Sequence, residues 1–361
     1  MSLNAYVTLG KSGLRVSPFC LGTATFGEDW GWGASPSDSE AILCHYLESG
    51  GNFIDTANAY TKGHSEKIIG DFIAKGSLRR DRMVIGTKFF SNLYPGDPNG
   101  GGAGRKAIIS QCEQSLRRLQ TDYIDLYYLH GWDEFTPVEE TLCAMDDLVT
   151  SGKVRYIGFS NTPAWKTAQA QIIAQSRGWA PLIVLEIEYS LLQRTVEGEL
   201  IPMAQELGLG VTPFSSLRRG ALSGKYTREN AATMKTDRGV GVTAYLNENT
   251  YKIVDELQKI AQELNTSVAA IALAWVQSRP GVSSTIIGAR TIKQLDDNLI
   301  ALDVKLTPEH FSALDELSKP QLHYPAHIRT SGPHIAHAGA TVNGVKSMAM
   351  PLAPASDAER Y

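Results

Sequence analysis

Tyr123-Ile124-Asp125-Leu126-Tyr127-Tyr128-Leu129-His130 is the stretch whose reading decides the fold: a run of β-forming, mostly apolar residues that closes on an ionisable ring. The same plan recurs along the chain. Candidate strands are 19–21, 52–54, 83–86, 123–129, 154–159, 182–187, 210–213 and 285–287. Amphipathic helical patterns lie between them: 37–48, opening on a Ser-Asp cap; 105–119, with Ile108, Cys112, Leu116 and Leu119 on one face; and 138–149, 251–264 and 268–277. Eight strands alternating with helices predict α/β architecture, a closed (β/α)8 TIM barrel rather than an open doubly wound sheet. Ahead of the first strand, 6–9 and 14–17 flank Gly10-Lys11-Ser12-Gly13, an N-terminal β-hairpin suited to plugging one end of the barrel. No linker divides 1–320, which reads as one barrel domain. Residues 321–361 lack periodicity and carry four histidines, and read as an extended C-terminal tail or loop over the active-site face.

Composition narrows the function classes. The 361 residues are 43% hydrophobic and 20% charged, enough to bury a large core, and a net charge of -4 offers no field for holding nucleic acid. The four cysteines show no CxxC spacing and read as thiols of a reducing compartment. No signal-like start and no run of ~18 apolar residues is present, so a cytoplasmic protein without membrane spans is expected.

Barrel chemistry gathers at the C-terminal ends of the strands. The residues there are Gly22-Thr23, Asp55, Lys88, His130, Ser160-Asn161, Glu186 with Tyr189, Ser215-Ser216, and Gly288 to Arg290. Buried charges are costly unless paired, so Asp55, Lys88 and His130 are expected around one site. Tyr60 follows Asp55 by five positions, which lets a loop carry its phenol back over the strand end. A free phenol titrates near ~10, and a neighbouring Lys88 ammonium is expected to lower that value. With His130 orienting a carbonyl oxygen, the four make a proton donor beside a polarised carbonyl, lacking only a source of hydride.

The set Asp55, Tyr60, Lys88 and His130 resembles the catalytic tetrad of the aldo-keto reductases. Further resemblances are Gly22-Thr23-Ala24-Thr25-Phe26-Gly27, Asn52-Phe53-Ile54-Asp55-Thr56-Ala57, Ser115-Leu116-Arg117-Arg118-Leu119 through Asp122-Tyr123-Ile124-Asp125-Leu126, Gly158-Phe159-Ser160-Asn161 and Ile287-Gly288-Ala289-Arg290, in family order over about 6–318. The resemblance implies an NADP(H)-dependent oxidoreductase moving hydride between nicotinamide and an aldehyde, ketone or secondary alcohol, with Tyr60 as proton donor. It implies Gly22, Thr23 and Asp55 beside the cofactor, Ser160, Asn161 and Glu186 at the carboxamide, and Tyr189 stacked on the nicotinamide. It also implies a strap of Phe214, Ser215, Ser216, Leu217, Gly220, Leu222, Gly224 and Lys225 over the pyrophosphate, with Gly288, Arg290, Gln294 and Asn298 toward the 2′-phosphate and adenine. Arg290 has separate support, because a guanidinium at a helix start suits a phosphate. The chain departs from the family pattern at Glu186, where glutamine is usual, at Ser216 and Arg218-Arg219 in the strap, and at Thr162.

Plainer readings stand beside these. Asp55 with Lys88 as a structural ion pair leaves Tyr60 and His130 unexplained. Trp30, Trp32, Phe89, Tyr94 and Trp132 lie just beyond strand ends and line either an apolar substrate pocket or the packed rim. Residues 100–104 form no GxGxxG, and 220–225 fall short of a P-loop, with Tyr226 where magnesium needs a hydroxyl. His323, His327, His334 and His337 lack acidic or cysteine partners, so no metal is expected. An unrelated barrel hydrolase or lyase does not need the whole tetrad. A redox-sensing, slowly turning cofactor-binding subunit of the potassium-channel β type is the alternative from within the family, although no long polar N-terminal extension is present. Long loops at 91–104 and 218–245 suit a bulky, multi-ring terpenoid- or steroid-like substrate, while oligomeric state is not readable.

Overall fold

Leu9 and Val16 flank a turn that neither can leave exposed, and in the computed structural model both are buried against the floor of a barrel. The structure describes residues 2–76, 78–230, 241–354 and 356–360, so 231–240 of the expected 218–245 loop lie outside the described residues. Strands β1 (Val7–Thr8) and β2 (Arg15–Val16) pair as the predicted antiparallel hairpin. Eight parallel strands follow: β3 (Phe19–Gly22), β4 (Phe53–Asp55), β5 (Val84–Phe89), β6 (Ile124–Leu129), β7 (Val154–Ser160), β8 (Leu182–Glu188), β9 (Gly210–Phe214) and β10 (Thr285–Gly288). They are ordered β10, β3 and then in sequence to β9, and the β9 to β10 seam is bridged at Val211 and Val282. The chain is thus a nearly closed (β/α)8 barrel, with each predicted strand present and most running one to three residues further at the C-terminal end.

The predicted helices form as α1 (Pro36–Glu48), α3 (Arg105–Leu119), α4 (Val138–Thr150), α7 (Glu248–Glu263) and α8 (Val268–Gln277). Four further barrel-wall helices left little sequence signal: α2 (His64–Ala74), α5 (Ala164–Arg177), α6 (Leu200–Leu207) and α10 (Pro308–Leu317). Helix α5 exposes Trp165 and Ile172, which blurs its apolar stripe, and α2 starts at Gly63 with no capping side chain. Helix α9 (Ile292–Leu299) begins just after Arg290, capped by Thr291. The motif over 115–125 proves to be packing: Arg118 bonds the fully buried Glu66, and Asp125 pairs with Arg80 at 2.7 Å while accepting the Ile85 amide.

The tail carries α11 (Gly332–His337) and a small hairpin, β11 (Thr341–Val342) with β12 (Val345–Lys346). It sets out alongside the loop after β8, where Ala326 approaches Gly198 and Arg329 donates to the Glu197 carbonyl.

Gly10 makes the plug possible. Its φ is +57°, and a Cβ there would stand 2.3 Å from the Ile183 carbonyl oxygen, whereas Gly13 has open space. Gly10→Ala is therefore expected to destabilise the chain by about 1–3 kcal/mol, and Gly13→Ala to be near neutral. Urea unfolding of the two variants checks this, and equal midpoints would contradict the plug.

Candidate active site

Tyr60 reaches the barrel mouth because the chain after β4 folds back in a fixed path. The Thr56 amide donates to the Gly86 carbonyl and the Asn58 amide to the Lys88 carbonyl, extending the sheet past its last strand residue. Thr61 and Lys62 then turn through left-handed backbone, unusual for residues with a Cβ, and the Thr61 hydroxyl donates to the Phe26 carbonyl to hold the turn. The phenol arrives 3.2 Å from Lys88 Nζ. Lys88, placed by the sequence just past a strand, lies inside β5, and its ammonium donates to both Asp55 carboxylate oxygens at 2.6 Å and to the Thr56 carbonyl at 3.0 Å. The His130 ring stands edge-on to Tyr60 with centroids 5.9 Å apart. The four candidate residues converge at the C-terminal ends of β4, β5 and β6.

Electrostatics corrects one expectation. The Tyr60 phenol is held above its ordinary value, not below it: burial dominates, Lys88 pulls down, and Asp55 and Glu186 push back up. The ammonium is already engaged by carboxylates, so little of its field is left for the phenol. Burial opposes the charge on Lys88, yet Asp55, Glu186 and Tyr60 together raise it well above its usual range, so it stays an ammonium. Burial, then Lys88, lowers His130 to about 3, leaving a neutral imidazole whose Nδ1 has no partner. Burial raises the Asp55 carboxyl against the pull of Lys88. Glu186, 2% exposed and 3.4 Å from Lys88, is pushed up to about 8, by burial first and by Asp55 second.

These groups open into a cavity of about 850 Å³, within the range of small-molecule sites. Its lining includes Gly22, Asp55, Tyr60, His130, Asn161, Glu186, Phe214, Ser215, Ser216, Leu217, Gly220, Lys225, Gly288, Arg290, Gln294 and Asn298, as expected from the sequence. Local contacts set several of them. Asn161, at φ 48°, donates to the His130 carbonyl; the Gln294 side chain accepts the Arg290 amide; and Asn298 donates to the Gly288 carbonyl. A Cβ on Gly22 would meet Ile286 at 2.6 Å, so only glycine leaves that wall open.

Other candidates fall elsewhere. Tyr189 does not face the cavity: it is buried, its hydroxyl donates to Glu197 and accepts from Arg279, and its ring packs edge-on to Trp275. Tyr189 follows β8 directly, and the aromatic that does face the cavity is Phe214 at the end of β9. Phe89 points outward from β5 into the helix layer, against Tyr127 at 4.8 Å. Tyr94 bonds Gln114 on α3, at the molecular surface. Thr23 and Ser160 are fully buried beside the cavity, with the Thr23 hydroxyl donating to the Asp55 carbonyl, and Leu222 and Gly224 shape the strap from behind. Thr162 is also internal, donating to the Ser160 carbonyl. Of the strap arginines, Arg218 turns inward to pair with Glu188 and lies over the Tyr245 ring at 4.3 Å, while Arg219 lines the cavity. Trp30 meets the Tyr60 ring at 6.3 Å, and Trp32 packs on Trp30 at 5.4 Å; Trp132 sits under Lys166 at 4.9 Å.

Residues the sequence did not single out also line the cavity: Ala24, Thr25, Ser267, Ala269, Leu273 and Lys293. Lys293 stands one helical turn from Arg290, a spacing that could have flagged it as a second cation on the same side. Ser267 caps α8, and its placement depends on the strap fold. Among the described residues no cluster of three or more His, Cys, Asp or Glu side chains has the geometry of a metal site, and no helix is long and apolar enough to cross a membrane.

Chemically, the floor offers a neutral phenol backed by an ammonium and a neutral imidazole, and the walls offer cations from Arg219, Lys225, Arg290 and Lys293. Comparison with known proteins gives the family. The model of the aldo/keto reductase family matches residues 18–319. The chain is 39% identical to an uncharacterized oxidoreductase of Bacillus subtilis, over 86% of this chain and 95% of that protein. It is 34% identical to a versiconal hemiacetal acetate reductase of Aspergillus parasiticus, over 89% and 98% respectively. It is also 34% identical to an aryl-alcohol dehydrogenase of Pestalotiopsis microspora, over 85% and 80%. With barrel, convergent tetrad and family model in agreement over one span, this chain belongs to the aldo/keto reductase family.

Proposed function

We propose that the chain is an NADP(H)-dependent carbonyl reductase, working reversibly on an aldehyde or ketone with a flat, apolar body, and that Tyr60 supplies the proton. The observation that carries this reading is the Tyr60 hydroxyl at 3.2 Å from an ammonium that is itself clamped by Asp55, on the floor of a cavity walled by Arg290 and Lys293. When bound, the dinucleotide supplies or accepts hydride. The residues fit it: Ser216 Oγ and Glu186 Oε2 are buried polar atoms without partners at the cavity wall, and Gly22 keeps that wall free of side chain. Asn161 and Glu186 are placed to hold a carboxamide, Phe214 to pack on a planar ring, and Arg290 with Lys293 and the start of α9 to hold a phosphate.

Tyr60 keeps its proton in the resting site, because burial holds the phenol neutral. As charge grows on the substrate oxygen, the Lys88 ammonium behind the phenol stabilises the phenolate left by transfer. Asp55 keeps Lys88 charged and aimed. His130, neutral, directs the substrate oxygen without adding charge. Trp30 beside the phenol, backed by Trp32, favours an aromatic or multi-ring substrate, in line with the names of the aryl-alcohol dehydrogenase and the hemiacetal acetate reductase among the relatives. In the same reading residues 1–320 are one functional unit and 321–361 an appendage beside the loop after β8.

Tyr60→Phe is expected to lower kcat for a reactive aromatic aldehyde by about 10²–10⁴, while NADPH binding, followed by fluorescence, stays within about twofold. A wild-type rate in this variant would refute the proton-donor role. Arg290→Ala is expected to weaken NADPH binding by about 10- to 100-fold and to leave NADH binding nearly unchanged, consistent with the loss of a charge-assisted hydrogen bond. Equal loss for both cofactors would rule out a 2′-phosphate contact.

A further inference from the structure

Glu186 occupies the position that glutamine holds in the family pattern, and its surroundings give the acid a use that an amide lacks. Its carboxyl lines the cavity floor, with Oε1 3.4 Å from Lys88 Nζ and Oε2 buried without a partner. Lys88 cannot satisfy it: an ammonium has three hydrogens, and the two Asp55 oxygens, the Thr56 carbonyl and the Tyr60 hydroxyl already surround it. Glu186 therefore holds only the longest of the lysine's contacts, at 3.4 Å, and shares that charge with the neighbouring Asp55 carboxyl.

Among the described residues the other groups around it offer no second cation. Cys20 on β3, Asp55 on β4, Tyr60 on the loop, and Tyr128 and His130 from β6 are each neutral or negative near neutral pH, and Thr212 on β9 is uncharged. Arg218 on the strap is spent on Glu188, two residues further along β8. With both carboxylates ionised, the buried floor carries one unmatched negative charge, and burial first with Asp55 second pushes Glu186 up to about 8, so that it holds a proton near neutral pH. The oxidised nicotinamide ring is cationic and the reduced ring is neutral. If hydride and the Tyr60 proton reach one carbonyl, that ring must lie at the end of the cavity where Glu186 is.

We propose that Glu186 senses the redox state of the cofactor: its carboxyl keeps its proton when the reduced dinucleotide is bound and releases it to solvent when the oxidised, cationic form is bound, so that the preference between the two forms depends on pH. The inference rests on the cofactor reading above. Charge balances in each state. A neutral acid accompanies a neutral ring, and a carboxylate accompanies a cationic one, with one proton leaving through the cavity mouth. Coupling of this kind is reciprocal, so deprotonating Glu186 must favour the oxidised form by the same factor by which that form favours deprotonation.

The test is to measure the dissociation constants of NADP⁺ and NADPH by protein fluorescence from pH 6 to 9 at constant ionic strength, for the wild type and Glu186→Gln. The 2′-phosphate titrates near ~6 in both forms and cancels in their ratio. In the wild type the ratio of the NADP⁺ to the NADPH constant is expected to fall by at least about fivefold as pH rises; in Glu186→Gln it stays flat. Calorimetry in two buffers of different ionisation enthalpy gives a reading that does not need the variant: at pH 7, NADP⁺ binding is expected to release more protons than NADPH binding. A ratio independent of pH in the wild type, or one that still slopes in Glu186→Gln, overturns the inference while leaving the cofactor reading intact. Failure to bind either dinucleotide overturns both.

Discussion

A lysine ammonium buried in the mouth of a barrel survives only if something meets its charge, and Asp55 does so with both oxygens at 2.6 Å. Removing either partner alone leaves an uncompensated buried charge, a loss of about 3–5 kcal/mol in comparable cases. The pair ties β4 to β5 at the level where the register sets Asp55 beside Gly86 and Lys88 beside Tyr128. It also gives Tyr60 a fixed neighbour, since the phenol shares an ammonium whose hydrogens Asp55 and the Thr56 carbonyl already hold in place. Structure and chemistry are therefore the same interaction here: the bond that keeps the charge tolerable is the bond that aims it.

The field in the site follows from this pair. Because the ammonium is shared between Asp55 and Glu186, it lowers the Tyr60 phenol too little to offset burial. The result is a donor that stays protonated at rest and yields only when a substrate oxygen becomes basic, which is the behaviour a general acid needs. His130 is neutral for a related reason, since burial and the ammonium both oppose a second positive charge. Glu186 takes up the remaining imbalance as the carboxyl on the floor that, among the described residues, has no dedicated cation.

Most of the barrel was legible in the sequence because short apolar runs ending on polar residues have few other uses. The convergence of Asp55, Tyr60, Lys88 and His130 follows from their placement at successive strand ends. What was not legible depended on side-chain direction. Phe89 and Lys88 are neighbours on β5, and alternation along a strand sends one outward to Tyr127 and the other inward to Asp55. Tyr189 lies a single residue past β8, yet Glu197 and Arg279 bind its hydroxyl in the core, and Phe214 on β9 takes the cavity-facing place. The direction of the Tyr60 shift is not legible from Lys88 alone because burial, the dominant cause, and two carboxylates, one of them distant in sequence, outweigh the ammonium. Helices such as α5 were hidden by exposed Trp165 and Ile172, which no periodicity count distinguishes from a core face.

Everything at this site depends on the charge of Lys88, and that charge can be observed directly. Heteronuclear NMR of the chain with ¹⁵N-labelled lysine reports whether the side-chain nitrogen is an ammonium or an amine, with Lys88→Met assigning the signal. A buried ammonium resonance that persists unchanged from pH 6 past the ordinary lysine range of about 10.4 is the predicted result. Conversion of that signal to a neutral amine at or below pH 8 would mean that Asp55 does not hold the charge, and the positioned proton donor built on it would fall.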